Sequence, residues 1–167
     1  MTRVALCLVV LAIFGCATTA DDEPLPQVWR EAGLSREDAE YLLNEALRLV
    51  VERKCVAGHP TSVGEPARVL VLDTAIGNLR LRPVGDVSFE PVSESTLDQR
   101  AQAMGRDINY YRFDKIKREG ETVVLQLNTV PRYAAEAKTL PDAGGTTIEF
   151  TREQGSWKHS CGVGWVS

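Results

Sequence analysis

Four cysteines and two histidines are the residues in this chain best suited to covalent or metal chemistry. Cys7 and Cys16 lie in or beside an apolar amino-terminal run, so Cys55 and Cys161 are the two cysteines left for the body of the chain. Two thiols in an oxidising compartment most often pair. A bridge here closes a loop of about a hundred residues, worth up to ~4–5 kcal/mol in the chain-entropy model. We therefore predict a Cys55–Cys161 disulfide.

The alternative use of the same cysteines is a metal site. Each histidine lies near a cysteine, as Cys55-x-x-x-His59 and His159-x-Cys161, and two sulfurs with two imidazoles make a tetrahedral zinc set. Residues two apart on a strand point to the same side, as ligands must. Neither half has the tight Cys-x-x-Cys spacing, and an exported location favours oxidation. The disulfide is therefore preferred, and we assign no metal and no cofactor.

Acid–base catalysis is the third chemistry that the sequence allows. His159 lies in an apolar row and is interpreted as a core histidine, with a role beside a nearby carboxylate as the alternative. Asp107, Asp114 and Glu149 are the carboxylates that an α+β roll could bring together. The sequence contains no phosphate loop, nucleophile elbow, dinucleotide fingerprint or His-Glu-x-x-His motif. We assign no catalytic residue.

The amino-terminal run predicts a targeting segment. Arg3 precedes residues 4–14, which carry no charge, and Asp21, Asp22 and Glu23 follow. The run has about a dozen residues, whereas a membrane-spanning helix needs ~20. We expect residues 1–15 to be a signal peptide.

Residues 13–16, Ile-Phe-Gly-Cys, resemble the lipobox of bacterial lipoproteins. The resemblance implies that Cys16 becomes the lipidated first residue and that the chain is anchored at the periplasmic face of a bacterial membrane. Cleavage after Ala20, giving a secreted protein, is the alternative. Residues 16–26 are polar, acidic and punctuated by proline, as expected of a tether between the anchor and a folded body.

Length and composition predict one folded domain over residues 27–167. A hydrophobic fraction of 44% and a charged fraction of 25% are those of a soluble globular protein. Lys and Arg total 19 against 23 Asp and Glu, and this acidic balance excludes a protein held to nucleic acid by a basic field.

Periodicity predicts the elements of this domain. Ser35 followed by Asp38 is typical of a helix start, and apolar residues at three- and four-residue steps extend the helix over residues 36–54. A short helix is expected at residues 95–105, and strands at residues 68–73, 78–82, 86–91, 108–117, 122–130, 146–152 and 157–166. A helix followed by a run of strands indicates α+β, with an antiparallel curved sheet packed on one long N-terminal helix.

Strand alternation predicts which side chains face the core. The inward rows are Val123, Leu125 and Leu127 in one strand and Trp157, His159, Cys161, Val163 and Trp165 in the last. Tyr110, Tyr111 and Phe113 break strict alternation, which indicates either a bulge or a strand covered on both faces.

The carboxyl-terminal half resembles uncharacterised bacterial envelope lipoproteins that end in a Gly-x-Trp strand and a Trp-Val/Ile-Ser terminus. The matching residues are the run 95–105, Tyr-Tyr-Arg-Phe at 110–113, Gly-Ser-Trp at 155–157 and Gly-Trp-Val-Ser at 164–167. The resemblance implies a cystatin-like or nuclear-transport-factor-like α+β roll and brings no activity with it.

These expectations lead to three hypotheses of function. The first is an exported, lipid-anchored envelope domain that binds a protein or small ligand and is not catalytic. The second is a small enzyme that uses His159 in a roll cavity. The third is a periplasmic metal-binding protein.

Overall fold

The chain folds as an α+β structure whose mixed sheet curls into a half-barrel. A computed structural model describes residues 23–55, 57, 62–63, 67–134, 144–162 and 164–166. The elements are α1 (Gln27–Glu31), α2 (Arg36–Val51), β1 (Ser62–Val63), β2 (Arg68–Leu72), β3 (Ser88–Val92), α3 (Glu94–Met104), β4 (Ile108–Glu119), β5 (Thr122–Arg132), β6 (Gly144–Glu153), β7 (Ser156–Cys161) and β8 (Trp165–Val166). The predicted α+β class is confirmed.

Helix α2 starts where the sequence predicts. The Ser35 hydroxyl caps it by accepting a hydrogen bond from the Asp38 amide at 3.1 Å. The helix ends at Val51 rather than at residue 54, because Arg53 adopts a positive φ of 56° and turns the chain. Its buried side chains are Ala39, Leu42, Leu43, Ala46, Leu47, Leu49 and Val50. They share one core with Val123, Leu125, Leu127, Ile148 and Phe150 of the sheet.

Leu47→Ala should lower the free energy of unfolding by about 2–5 kcal/mol, because its fully buried side chain leaves a cavity between α2 and the sheet. Arg48→Ala is the matched control, since Arg48 is half-exposed and its ion pairs with Glu45 and Glu52 should contribute about 1 kcal/mol or less. Urea denaturation of both variants measures the difference. Equal effects would show that α2 presents a different face to the sheet.

The expectation of an antiparallel sheet is wrong around β2. This strand pairs in parallel with β3 and with β4. Helix α3 connects β3 to β4, which lie on the two sides of β2, and it packs over β2; strands that run in parallel need such a crossover connection. Val69 and Val71 therefore enter the core beneath α2, while Leu70 and Leu72 enter a second core beneath α3. An unbroken apolar run such as residues 69–72 is typical of a strand buried on both faces.

Helix α3 begins at Glu94, one residue earlier than the sequence predicts. Ser93 is the cap, because its hydroxyl accepts from the Thr96 amide at 3.2 Å. The predicted end is confirmed at Gly105, whose φ of 58° suits glycine. A two-bond ion pair between Asp98 and Arg132 joins α3 to β5.

The strand predicted at residues 78–82 is wrong. Its backbone is hydrogen-bonded to side chains of α2 instead of to a neighbouring strand. The Asn44 amide nitrogen donates to the Arg80 carbonyl at 2.8 Å, and the Arg82 amide donates to the Asn44 oxygen at 2.6 Å. The Arg80 amide donates to Glu40 at 3.3 Å. The segment therefore lies along α2 as an extended strip outside the sheet.

The irregular alternation of β4 predicts either a bulge or a strand covered on both faces, and both are present. The register with β5 shifts between Phe113 and Lys115, as a bulge requires. Tyr111 and Phe113 belong to the core beneath α2, whereas Tyr110 belongs to the core beneath α3. The strand is thus bulged and also covered on both faces over its first half.

The inward row predicted for the last strand is wrong in β7. Trp157 is half-buried, and His159 and Cys161 are exposed. These three side chains do share a face, but it lies beside the polar flank of α2 instead of over the core. Val163 lies outside the described residues.

Helix α1 is an element that the sequence patterns did not predict. Trp29 is fully buried, and its indole nitrogen donates to the Ala75 carbonyl at 2.6 Å. Residues 23–26 fall within the expected tether, yet Leu25 packs against the core. The chain is therefore already in contact with the body before α1 begins.

Candidate functional site

The predicted disulfide between Cys55 and Cys161 is confirmed. The two alpha carbons are 5.6 Å apart across a sequence separation of 106. Cys55 is buried just after α2, while Cys161 is exposed on β7. Joined sulfurs cannot act as two thiolate ligands, which removes the sulfur half of the zinc alternative. His59 lies outside the described residues, and within the described part of the chain no cluster of three metal-ligating side chains is present.

Strand β7 is attached to α2 along most of the length of the helix. The Trp157 indole nitrogen donates to Asp38 in the first turn at 3.0 Å, and His159 Nδ1 lies 3.8 Å from Glu45 Oε1 further along. The disulfide completes the attachment beyond the end of the helix. These contacts hold β7 against one side of the polar flank of α2.

His159 lies beside a carboxylate, as the enzyme hypothesis requires. Hydrogen bonding to the Arg48 guanidinium lowers the pKa of Glu45, so this carboxyl is ionised at neutral pH. However, the His159 side chain remains 37% exposed, and it does not line the groove described below. The pair therefore has the proximity of an acid–base pair without the enclosure of an active site.

The three carboxylates proposed for acid–base work have separate surroundings. Asp107 precedes β4 and accepts a hydrogen bond from the Ala134 amide at 3.2 Å. Asp114 lies at the bulge in a two-bond ion pair with Arg112. Glu149 is exposed on β6. No contact described in the structure joins any two of them.

An open groove crosses the polar flank of α2. Its volume is about 870 Å³, within the usual ~300–1,000 Å³ of ligand sites. Residues 80–82 form one wall, α2 forms the floor, and the turn between β6 and β7 forms the other wall. The side chains that define it are Arg36, Glu37, Tyr41, Arg80, Arg82 and Trp157.

The first wall carries two outward arginines. Leu79 is buried and Leu81 is half-buried against the core, whereas Arg80 and Arg82 are exposed. This alternation is that of an extended chain, in which residues two apart point to the same side. Arg80 and Arg82 therefore face the groove together.

Arg36 lies at the start of the same wall. Its guanidinium donates to the Glu23 carbonyl, and the Asn78 amide nitrogen donates to that same carbonyl at 3.1 Å. Because Asn78 lies two residues before Arg80 in the same segment, Arg36 continues the line of positive side chains. We call Arg36, Arg80 and Arg82 the arginine wall.

The opposite wall is fixed by a tight turn and by Asp38. Gln154 and Gly155 form a two-residue turn in which both φ angles are positive, 49° and 81°, as in the tightest hairpins. The Arg152 guanidinium lies 5.4 Å from the centre of the Trp157 ring. Asp38 contacts both side chains, at 3.5 Å and 3.0 Å.

The floor presents an aromatic ring to solvent. Tyr41 is 45% exposed, and within the described part of the chain it is the large hydrophobic side chain that is exposed to solvent. It lies one turn after Glu37 on the flank of α2 that faces away from the core. Four arginines and three carboxylates line the groove, so its charge is positive while the whole chain carries −4.

This groove is not among the sites predicted from the sequence, although the sequence contains two signals of it. Tyr41 is an aromatic residue on the polar side of an amphipathic helix. The run Leu-Arg-Leu-Arg at residues 79–82 alternates cleanly, and an exposed edge with two arginines follows from it. Cys16 and His59 lie outside the described residues.

Comparison with protein-family models, with curated proteins and with solved structures gives no match to this chain. None of the helices in the described residues is both long enough and apolar enough to span a bilayer.

Proposed function

We propose that this protein is an exported, lipid-anchored domain of the bacterial envelope that binds a protein or small ligand in the α2 groove and catalyses no reaction. The observation that carries the proposal is the groove itself, in which exposed Tyr41 lies on the floor below the arginine wall. An exposed ring beside several arginines is typical of binding surfaces, where aromatic and arginine side chains contribute most of the affinity.

We further propose that the fold is a cystatin-like or nuclear-transport-factor-like roll with α2 as its one long helix. The support is that α2 fills the inner side of the half-barrel, where its leucines are fully buried. Among the described residues, α2 and the sheet bury their apolar side chains against each other, which favours a ligand site on the outer flank of α2. This favours the binding hypothesis over the enzyme hypothesis.

The alternatives keep weaker support. The enzyme alternative rests on the proximity of His159 and Glu45, which lies outside the groove. The metal alternative loses two of its four ligands to the disulfide. Nucleic acid is not a proposed partner, since the chain is acidic overall.

The anchoring proposal predicts a lipidated Cys16. Mass spectrometry of the membrane fraction should identify diacylglyceryl-Cys16 as the first residue, and Cys16→Ala should release the protein from that fraction. Cys7→Ala is the matched control, because Cys7 is removed with the signal peptide and membrane attachment should persist. An amino terminus at Asp21 would establish the secreted alternative, and an intact Met1 chain in the cytoplasm would refute export.

The binding proposal predicts crosslinking from the groove in cells. A benzophenone amino acid at position 41 should yield an adduct of defined mass, because the Tyr41 side chain lies where the ligand would contact the floor. The same probe at Gln102, exposed on α3 at the opposite face of the sheet, is the control. Absence of an adduct at position 41, or the same adducts from both positions, would refute the groove as a binding site.

A further inference from the structure

The spacing within the arginine wall indicates the ligand that it fits. Arg80 and Arg82 leave the same side of an extended segment whose backbone is held by Asn44 and Glu40. Successive residues of an extended chain rise about 3.3 Å, so the two arginines emerge about 7 Å apart. This is the separation of the two side chains where they leave the backbone.

A ligand that is itself an extended peptide has the same spacing between its side chains. In an extended peptide, side chains at alternate positions lie about 7 Å apart on one side. A guanidinium binds a carboxylate through two parallel hydrogen bonds. Two carboxylates separated by one residue can therefore each pair with one of Arg80 and Arg82.

The floor of the groove restricts the orientation of such a peptide. Glu37 and Tyr41 lie on α2 between the two walls. A ligand carboxylate above Glu37 or Glu40 would be repelled by like charge, so the acidic side chains must point toward the guanidinium groups of Arg80 and Arg82. The residue between them then lies against the exposed ring of Tyr41, where an apolar side chain loses contact with water.

We propose that the groove binds an extended acidic segment of a partner protein, with carboxylates two residues apart on Arg80 and Arg82 and an apolar residue between them on Tyr41. In this proposal Arg36, whose guanidinium donates to the Glu23 carbonyl beside Asn78, pairs with a flanking acidic residue of the ligand. This inference rests on the proposed binding function of the groove and names its ligand class.

Two peptides of identical composition test the spacing. The probe is fluorescein-labelled Gly-Ser-Asp-Val-Asp-Ser-Gly, and its isomer is Gly-Ser-Val-Asp-Asp-Ser-Gly, which carries the same charge with adjacent carboxylates. Fluorescence anisotropy with the processed protein should show tighter binding of the alternating probe. Its affinity should fall as salt is added, because exposed ion pairs are screened.

Arginine variants test whether the peptide binds at the arginine wall. Arg80→Gln and Arg82→Gln should each weaken binding of the alternating probe by about tenfold, the loss expected for one charge-assisted pair. Arg106→Gln removes an exposed arginine outside the groove and should leave binding unchanged. Thermal unfolding checks that each variant is folded. If Arg80→Gln is destabilised, the affinity of Arg82→Gln for the alternating probe tests the arginine wall.

Three results would overturn the inference. They are equal affinities for the two isomers, an equal loss of affinity in Arg106→Gln, and failure of both peptides to bind. If both peptides fail while position 41 still forms its adduct in cells, the groove remains a binding site and only the ligand class is wrong. If position 41 forms no adduct, the binding proposal itself fails.

Discussion

Replacing both Cys55 and Cys161 with alanine is expected to lower the free energy of unfolding by about 2–4 kcal/mol. The disulfide closes a loop spanning 106 positions, so its loss allows the unfolded chain many more conformations. The effect should also be structural, because β7 would lose its covalent link to the end of α2 and would be held there by noncovalent contacts such as those of Trp157 and His159. Chemical denaturation of the purified variant under non-reducing conditions measures the change.

Reduction of the unaltered protein is the control for this experiment. Exposed Cys161 gives a thiol reductant access to the bridge, so dithiothreitol should produce a similar loss of stability. The double alanine variant should not respond to the same treatment. If the oxidised protein and the double variant unfold at the same denaturant concentration, the bridge does not stabilise the fold.

Trp29→Ala is expected to lower the free energy of unfolding by about 3–5 kcal/mol. Its ring is fully buried, and its indole nitrogen donates to the Ala75 carbonyl at 2.6 Å. The substitution therefore leaves both a large cavity and a buried carbonyl without its donor. Urea denaturation followed by far-ultraviolet circular dichroism measures the loss.

Two further variants separate the causes of this effect. Trp29→Phe keeps much of the packing and removes the hydrogen bond, so it should cost about 1–3 kcal/mol. Arg30→Ala alters the exposed neighbour on α1 and should stay within about 0.5 kcal/mol. If Trp29→Ala behaves like Arg30→Ala, α1 is not docked and the body begins further along the chain.

The parts of the fold that the sequence predicts are those determined by local pattern. Ser35 and the apolar spacing that follows it are sufficient to place the start of α2. Alternation alone buries Val123, Leu125 and Leu127. These signals come from residues within one element, and the rest of the chain does not override them.

The parts that the sequence misses depend on distant partners. Residues 78–82 alternate as a strand does, but Asn44, 36 positions before Arg80, takes up the backbone groups of this segment. Trp29 reaches its acceptor 46 positions away at Ala75. No window of local sequence identifies such partners, so local pattern predicts a sheet strand at residues 78–82 and gives no signal for α1.

The groove was missed for the same physical reason. The groove is built from three separate segments, which contribute Tyr41, Arg82 and Trp157. Each of these residues taken alone is an ordinary surface or edge residue. Only the docking of the extended segment and of β7 on opposite sides of α2 brings them around one space. The disulfide, by contrast, was predictable because two cysteines remain once the amino-terminal pair is set aside.

The most direct test of the central claim, that the groove on α2 is the ligand site, is amide chemical-shift mapping of the ¹⁵N-labelled protein during titration with the alternating acidic peptide. We expect saturable shifts at Glu37, Tyr41, Arg80 and Arg82 and at the Trp157 indole, all of which line the groove. The amides of α3, on the opposite face of the sheet, should not move. Shifts centred on α3, with the groove signals unchanged, would contradict the account.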